Sequence, residues 1–319
     1  AFAAMIRHPE TEFLGLRGML LLASRGEAPP GTDTLALAER AHALKPGARW
    51  TADALFDLKA RAGAFDQAEQ IVQQAVKKHA LTAAEGRRKR AVLWDRRSRE
   101  AEARGSDDDA LAFARRAAEL APEFAPTAVR LAGLEAKRGS ERRARQALER
   151  ALGKAPHPEL VAAHAALGGA DEAPLKRAER METLLKHVPK SAPQSAAYIH
   201  VGVADAALDA ELWGVARRHL EEAQKLFAAD APAELYRRFA RLEAAEHRDR
   251  QAEFEWMRKA HEARADEAWT CRACGTPASA WEDRCPACGT FDGLEWRSPA
   301  RIAQSAIGAA DMPPASPIR

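Results

Sequence analysis

The chain has 319 residues, 46% of them hydrophobic, with 49 basic and 46 acidic side chains and a formal net charge of +3. This length is ample for one buried core or for a core spread along an extended array. The nearly balanced charge gives no reason to expect nucleic-acid binding. No apolar run approaches the ~20 residues that cross a bilayer. Because the sequence opens on Ala1 rather than on an initiator methionine, we expect a fragment that lacks its true N-terminus.

Self-similarity along an alanine-rich chain is the main structural signal. Ala110, Ala114 and Ala117, followed by the helix breaker Pro122, have the spacing of the second helix of a tetratricopeptide unit. Pro156 follows Pro122 at an interval of 34 residues, which is the length of such a unit. The same small-residue pattern recurs at Ala38 and Ala41; Ala68, Val72 and Ala75; Ala144, Leu148 and Ala151; Ala178, Met181 and Leu185; Ala216, Leu220 and Ala223; and Ala252 and Trp256.

These intervals predict seven helix pairs between Phe2 and Arg264. One pair cannot bury its own apolar stripe, so stacked neighbours form a continuous core. We therefore expect an all-α, right-handed tetratricopeptide superhelix over residues 1–264, with a concave groove; the alternative is a non-repetitive helical bundle. The first pair is predicted to present Leu14, Gly18 and Leu21 at its contacts.

A dense basic run occupies much of residues 87–99. One interpretation is contact with anionic lipid headgroups or with an acidic partner. The other is a solvated helix face balanced by nearby acids such as Asp95 and Glu100, which we favour because charged helix faces are common. The three aspartates at 107–109 are expected to begin the next helix.

All four cysteines lie in a short C-terminal segment, as Cys271, Cys274, Cys285 and Cys288. The spacing is Cys-x2-Cys, ten residues, then Cys-x2-Cys, whereas a disulfide framework would usually scatter its cysteines. Four clustered thiolates suit tetrahedral zinc, and they suit a single iron ion equally. A closed four-ligand site has no open position for catalysis. Covalent haem is excluded, since glycine rather than histidine follows each second cysteine.

This metal module is predicted to span residues 265–297, followed by a disordered tail at 298–319. So small a unit has little core of its own, and aromatic side chains are therefore expected to pack around the cluster. The predicted packing residues are Trp256, Trp269, Trp281, Phe291 and Trp296. Trp256 is the expected contact between the module and the last helix pair, which the module would cap.

The predicted groove is polar. Its wall is expected to present the side chains of Arg61, Arg97, Glu135, His200 and Glu243. Such a lining suits an extended or helical segment of a protein partner, and it suits a flat apolar porphyrin poorly. Haem ligation by His200 is an alternative, whereas His219 is expected at the surface. No catalytic constellation stands out, so an enzyme is not predicted.

Three segments resemble the HemY-type tetratricopeptide proteins of proteobacteria: Pro9–Gly18, Leu55–Leu58 and Trp269–Trp296. The resemblance implies that transmembrane helices precede the repeats and that the repeats lie on the cytoplasmic face of the inner membrane. It also implies a scaffold tied to haem biosynthesis, with haem-biosynthesis enzymes as partners. Many members of that family lack the cysteine module, so its role does not carry over. A flavin-dependent oxidase shares the name but is excluded, because the chain has no Gly-x-Gly-x-x-Gly after a strand.

The chain also resembles the lipopolysaccharide-assembly regulators. They join an N-terminal membrane helix, tetratricopeptide repeats and a C-terminal rubredoxin-like knuckle. The two resemblances together favour a non-enzymatic, membrane-tethered scaffold that binds protein partners. A regulator of lipopolysaccharide assembly and a haem carrier are the alternatives.

Overall fold

The computed structural model describes residues 1–169, 171–189 and 192–299. These residues form fifteen α-helices followed by three short strands. They divide into two compact units, which we call the helical unit (Ala1–Leu226) and the C-terminal unit (from Phe227). The predicted tail lies outside the described residues beyond position 299. The helices are α1 (Phe2–Met5), α2 (Glu12–Ser24), α3 (Thr34–Leu44), α4 (Arg49–Arg61), α5 (Phe65–Lys77), α6 (Ala83–Ala103), α7 (Asp107–Leu120), α8 (Ala125–Lys137), α9 (Glu141–Leu152), α10 (Pro158–Ala166), α11 (Pro174–Glu182), α12 (Pro193–Asp209), α13 (Trp213–Phe227), α14 (Ala233–Glu246) and α15 (Arg250–Glu262).

After the short α1, the described helices form seven consecutive pairs, from α2 and α3 to α14 and α15. The chain is therefore an all-α array of tetratricopeptide-type helix pairs with a small cysteine-bearing sheet at its C-terminal end, as the sequence predicts. The last pair shares the C-terminal unit with that sheet. Across the described ranges, we find no helix with both the length and the apolar content needed to span a membrane.

Small side chains at the helix contacts are the reason that the pairs pack. On α7, the side chains of Ala110, Ala114 and Ala117 are completely buried. The matching positions on α9, Ala144 and Leu148, are completely buried as well. Alanine adds little bulk, so helix axes can approach to the short end of the usual distance of about 8–10 Å. Its high helix propensity stabilises the same segments locally.

The first pair differs from the prediction. Leu14 and Leu21 are 56% and 49% exposed, while Gly18 and Leu16 are buried. The cause is α1, which covers the glycine face of α2: a Cβ atom at Gly18 would overlap the ring of Phe2. The contact face of α2 is therefore rotated away from the two leucines.

The basic run lies on α6 and is neutralised largely by neighbouring helices. Arg97, for example, donates to Asp66 of α5 at 2.8 Å, and its guanidinium lies over the ring of Trp94. This supports the interpretation of the run as a charge-balanced helix face. Other ion pairs of the run include Lys89–Asp53, Arg90–Glu69, Arg96–Glu100 and Arg99–Asp95.

Two of the buried histidines of the helical unit, His157 and His164, lie at the start of α10 and within it. His157 precedes α10, and its Nδ1 accepts a hydrogen bond from the backbone N–H of Glu159 at 3.2 Å. His164 is 1% exposed, and its backbone carbonyl accepts a 2.6 Å hydrogen bond from Arg180. Burial lowers the pKa of both imidazoles to about 4, and the charge of Arg180 contributes for His164. Both histidines are therefore neutral in the folded protein at pH 7.

We predict that mild acid destabilises the protein through these histidines. The unfolded chain protonates them near pH 6.5, but the folded chain protonates them only near pH 4, so stability is full above pH 6.5 and falls as the pH drops towards 4. Each histidine contributes a loss on the order of 2 kcal/mol between pH 7 and pH 5. Urea unfolding of the whole chain, followed by circular dichroism at both pH values, measures this loss.

His164→Asn keeps an acceptor near Arg180 but cannot titrate in this range, so it should reduce the difference between the two pH values. His79→Asn changes an exposed histidine and serves as the matched control. An equal pH dependence in His164→Asn and in the wild type would contradict the prediction.

Candidate functional site

The four cysteines lie in and around a three-stranded antiparallel sheet in the C-terminal unit. The strands are β1 (Ala268–Cys271), β2 (Pro277–Ala278) and β3 (Leu294–Arg297), in the order β2-β1-β3. The first cysteine pair begins at the end of β1, where Cys271 is opposite Leu294 of β3. The second begins beside an isolated bridge between Arg284 and Phe291. We call each Cys-x2-Cys segment a knuckle. Strand pairing therefore positions the start of each knuckle.

The two knuckles share one backbone geometry. The N–H groups of Gly275 and Gly289 donate to the carbonyls of Cys271 and Cys285, at 2.9 and 2.8 Å. Both glycines have positive φ, 75° and 69°, which a residue with a side chain adopts at a cost. The repeated Cys-x2-Cys-Gly pattern thus folds twice into the same turn.

The sulfur atoms fit a tetrahedral metal ion. All four Sγ atoms lie within 4.8 Å of one another. The Sγ atoms of Cys271 and Cys288 are 3.7 Å apart, as are those of Cys274 and Cys285. Zn–S bonds of about 2.3 Å in a tetrahedron place sulfurs about 3.8 Å apart. Each of these distances joins one knuckle to the other, so a single ion would bridge the two.

Two threonines complete the knuckles and were not singled out from the sequence. The hydroxyl of Thr276 lies 3.3 Å from the sulfur of Cys274, and that of Thr290 lies 3.1 Å from the sulfur of Cys288. These hydrogen bonds lower the pKa of both cysteines, that of Cys274 to about 6. The sequence does contain a signal for these threonines, because the motif Cys-x2-Cys-Gly-Thr occurs in both knuckles.

The other two cysteines are buried. Burial raises the pKa of the Cys271 thiol to about 11. Near neutral pH this thiol therefore becomes a thiolate only with help from a cation, so binding of a metal ion would release its proton. The backbone N–H of Ala273 also points at the Cys271 sulfur, at 3.4 Å, and stabilises negative charge there.

Aromatic side chains form the core of the module. Trp269, Trp281 and Phe291 are all almost fully buried. Trp296 meets Trp269 edge to face, with ring centroids 5.4 Å apart, and its indole N–H donates to Glu267 at 3.1 Å. This packing fixes β1 against β3 beside the first knuckle.

Backbone hydrogen bonds join the module to the start of α14. The N–H of Ala233 donates to the carbonyl of Arg264 at 3.0 Å, and the N–H of Glu234 donates to the Asp266 carboxylate at 2.6 Å. Trp256 stacks on Phe239 within the helix pair, with centroids 4.4 Å apart. Its predicted role as the contact with the metal module stays a prediction.

A second candidate site lies between α7, α8 and α9 of the helical unit. We call it the α7–α9 groove; its cavity has a volume of about 520 Å³. The predicted groove residue Glu135 lines it and accepts a 2.6 Å hydrogen bond from Arg115. The other lining residues are Ala118, Glu119, Pro122, Ala128, Leu131, Arg143, Gln146, Ala147 and Arg150.

The structure places the other predicted groove residues in different surroundings. Arg61 pairs with Asp57 on its own helix, and Arg97 pairs with Asp66. Glu243 is buried in α14 of the C-terminal unit. His200 is half-buried, in contact with a neighbouring histidine. That these five residues line one groove stays a prediction.

The neighbour of His200 is His219, and their Nδ1 atoms are 2.9 Å apart. The prediction that His219 lies at the surface is wrong, because it is 2% exposed. Burial lowers the pKa of both histidines. Since two charged imidazoles in contact repel each other, at least one ring stays neutral and accepts a hydrogen bond from the other.

Comparisons with known proteins give a relative in sequence and several likenesses in structure. No protein-family model matches the chain. A stretch of 245 residues is 32% identical to a Magnetospirillum gryphiswaldense protein named "Probable magnetosome protein Mms48". The match covers 76% of this chain and 52% of that protein, so the chain spans about half the length of this relative.

Among solved structures, the chain is similar to a tetratricopeptide repeat protein from Parabacteroides merdae, at 15% identity and a TM-score of 0.35, covering 78% of this chain and 92% of that one. It is also similar to the C-terminal part of a repeat protein from Cytophaga hutchinsonii, at 12% identity and a TM-score of 0.37, covering 79% and 98%.

We predict that the purified chain binds about one metal ion, as a closed four-thiolate site does. Cys271→Ser and Cys285→Ser should each abolish stoichiometric binding, because each removes a buried ligand. Elemental analysis of wild-type and variant protein measures this, and the exposed Ser24→Ala is a control that should keep the metal. Four titratable thiols in a metal-free wild type, or two disulfides, would contradict the prediction.

We further predict that Thr276→Val and Thr290→Val leave metal stoichiometry intact but speed metal loss to a chelator. Valine keeps the shape of threonine and removes the hydroxyl that stabilises the adjacent sulfur. Removing supporting hydrogen bonds of this kind typically costs about 10- to 100-fold in metal affinity, shared here between two positions. The measurement is the rate of metal transfer to a chromophoric chelator, with the exposed Thr183→Val as control. Unchanged rates in the double variant would show that the hydroxyls do not support the site.

Proposed function

We propose that the chain is a non-enzymatic scaffold whose helix pairs bind a protein partner and whose C-terminal module binds one structural metal ion. The observation that carries this proposal is the α7–α9 groove, where three successive helices present charged side chains around an open cavity. Helix pairs of this type offer a long surface built from many modest contacts, which suits an extended or helical segment of another protein.

We propose zinc as the metal, with iron as the alternative. Cys271, Cys274, Cys285 and Cys288 would hold it as thiolates. Such an ion supplies cross-linking rather than reactivity, since all four positions are taken by protein ligands. Four thiolates around a divalent cation leave a net charge of −2, and the guanidinium of Arg297 lies nearby, donating to the carbonyl of Cys271 at 3.3 Å. Zinc would give colourless protein, whereas iron would absorb in the visible range.

The process that the scaffold serves has three candidates. The HemY-type resemblance favours haem biosynthesis at the cytoplasmic face of the bacterial inner membrane, with its enzymes as partners and with a membrane anchor outside this sequence. The Mms48 match favours a process of the magnetosome, through the name of that relative. Regulation of lipopolysaccharide assembly would use the same surfaces and would differ in the partner alone.

A haem carrier is the rival class, and the surroundings of His200 argue against it. Its ring nitrogen is in contact with His219, which in turn lies 3.5 Å from the Glu182 carboxylate. Arg218 is also beside this histidine, at 3.2 Å. A site surrounded by polar and charged side chains suits a flat apolar macrocycle such as haem poorly.

We predict that the full-length protein, crosslinked in native membranes, recovers a specific protein partner and no haem. Recovery should persist in Cys271→Ser, because loss of the metal affects the C-terminal unit and leaves the α7–α9 groove of the helical unit in place. Mass spectrometry identifies the partner, and absorbance near the Soret region tests for haem. Stoichiometric haem binding that disappears in His200→Ala would favour the carrier, and recovery of no partner would contradict the scaffold.

A further inference from the structure

The lining of the α7–α9 groove contains more cationic than anionic side chains. Arg115 is paired with Glu135, and Glu119 is paired with Arg116 at 3.7 Å. Arg143 and Arg150, both exposed on α9, have no acidic partner among the residues that the structure describes. Because they are seven residues apart, they lie on the same face of the helix.

A second cavity extends this positive surface along α9. It has a volume of about 590 Å³ and shares Arg150 and Gln146 with the groove. Lys154 and His187 also line it, and the carboxylate of Glu149 lies 3.9 Å from the imidazole of His187. Lys154 adds a third cation without an acidic partner in the described chain. The strip of three unpaired cations therefore runs from Arg143 through Arg150 to Lys154.

Glu135, which lines the groove, has a hydrogen-bond acceptor that is not satisfied. Its side chain is only about 4% exposed, and one oxygen accepts from Arg115. The other oxygen, Oε2, is buried and has no hydrogen-bond partner in the described structure. A ligand that brings a donor to this atom would relieve the cost of burying an acceptor without a hydrogen bond.

We infer that the α7–α9 groove binds an acidic segment of a protein partner. Side-chain carboxylates of the segment would pair with Arg143, Arg150 and Lys154, and an N–H of the segment would donate to Glu135. Arginine is suited to this task, since its guanidinium pairs with a carboxylate through two parallel hydrogen bonds. The inference rests on the proposed scaffold function and specifies the chemistry of its partner.

The carboxylates in the two cavities favour a peptide over a nucleic acid. Glu119, Glu135 and Glu149 would each repel a continuous phosphate backbone passing along the strip. A peptide can place its acidic side chains at the arginines and neutral or donor groups at the glutamates. A peptide can therefore match the alternating charges along the strip, whereas a uniformly charged polyanion cannot.

The test is fluorescence anisotropy of the full chain with a labelled peptide of alternating glutamate and serine. Two further probes replace the glutamates with glutamine or lysine, and a fourth is a labelled single-stranded oligothymidine. Near 0.15 M salt, where the Debye length is about 8 Å, unspecific long-range attraction is suppressed. We expect the glutamate peptide to bind more tightly than each of the other three probes.

The charge reversal Arg143→Glu with Arg150→Glu should weaken binding of the glutamate peptide by about tenfold or more, because two attractions become repulsions. The matched control is Arg25→Glu with Arg142→Glu, which makes the same change in net charge at exposed arginines outside the cavity lining. Circular dichroism checks the fold of both variants. Equal weakening in both variants would overturn the inference, as would tighter binding of oligothymidine that only the groove variant loses.

Crosslinking with the same variants separates this inference from the scaffold proposal. If the groove variant still recovers the partner that the wild type recovers, the scaffold stands and the acidic-segment inference fails. If the wild type recovers no partner, the scaffold proposal fails, whatever the peptide shows.

Discussion

A single helix pair has an apolar stripe that it cannot cover, and close packing of small residues against the next pair removes that stripe from water. In the helical unit this packing depends on alanine, since Ala110, Ala114 and Ala144 have no exposed surface. A larger side chain at such a position would force neighbouring helices apart or adopt a strained rotamer. Most charged side chains of α6 lie on the faces that such contacts leave open, whereas Asp95 is buried and pairs with Arg99. The α7–α9 groove depends on the same constraint, because three successive helices of this array line it.

Much of the fold was accessible from the sequence because alanine and proline recur at fixed intervals. The contact face of α2 was not, because it depends on Phe2 of α1 and not on the periodicity of α2 itself. The burial of His219 was also missed, since its partner His200 lies on another helix and no local pattern connects them. Periodicity predicts which residues lie on one face of a helix, but it does not identify the element that covers the face.

In the candidate sites too, features set by residues close together in the sequence could be predicted, whereas features set by contacts between helices could not. The cysteine spacing was sufficient to predict the ligand set, because each knuckle is a local turn and both turns repeat one motif. The two threonines could have been predicted in the same way, because each follows the glycine of the repeated motif. The unpaired cations Arg143, Arg150 and Lys154 could not be identified from the sequence, because the absence of an acidic partner in the described chain depends on every neighbouring helix. Glu135 was predicted to lie in a groove, but its unpaired oxygen is a property of the packed structure.

The cysteines of the metal module are arranged unequally towards solvent. Cys271 and Cys285 are buried, while Cys274 and Cys288 are exposed, so each knuckle contributes one inner and one outer sulfur. A diffusing oxidant such as hydrogen peroxide therefore reaches the outer sulfurs first. Oxidative damage to the module would begin with these two residues and would weaken both knuckles together, while the inner pair stays reduced for longer.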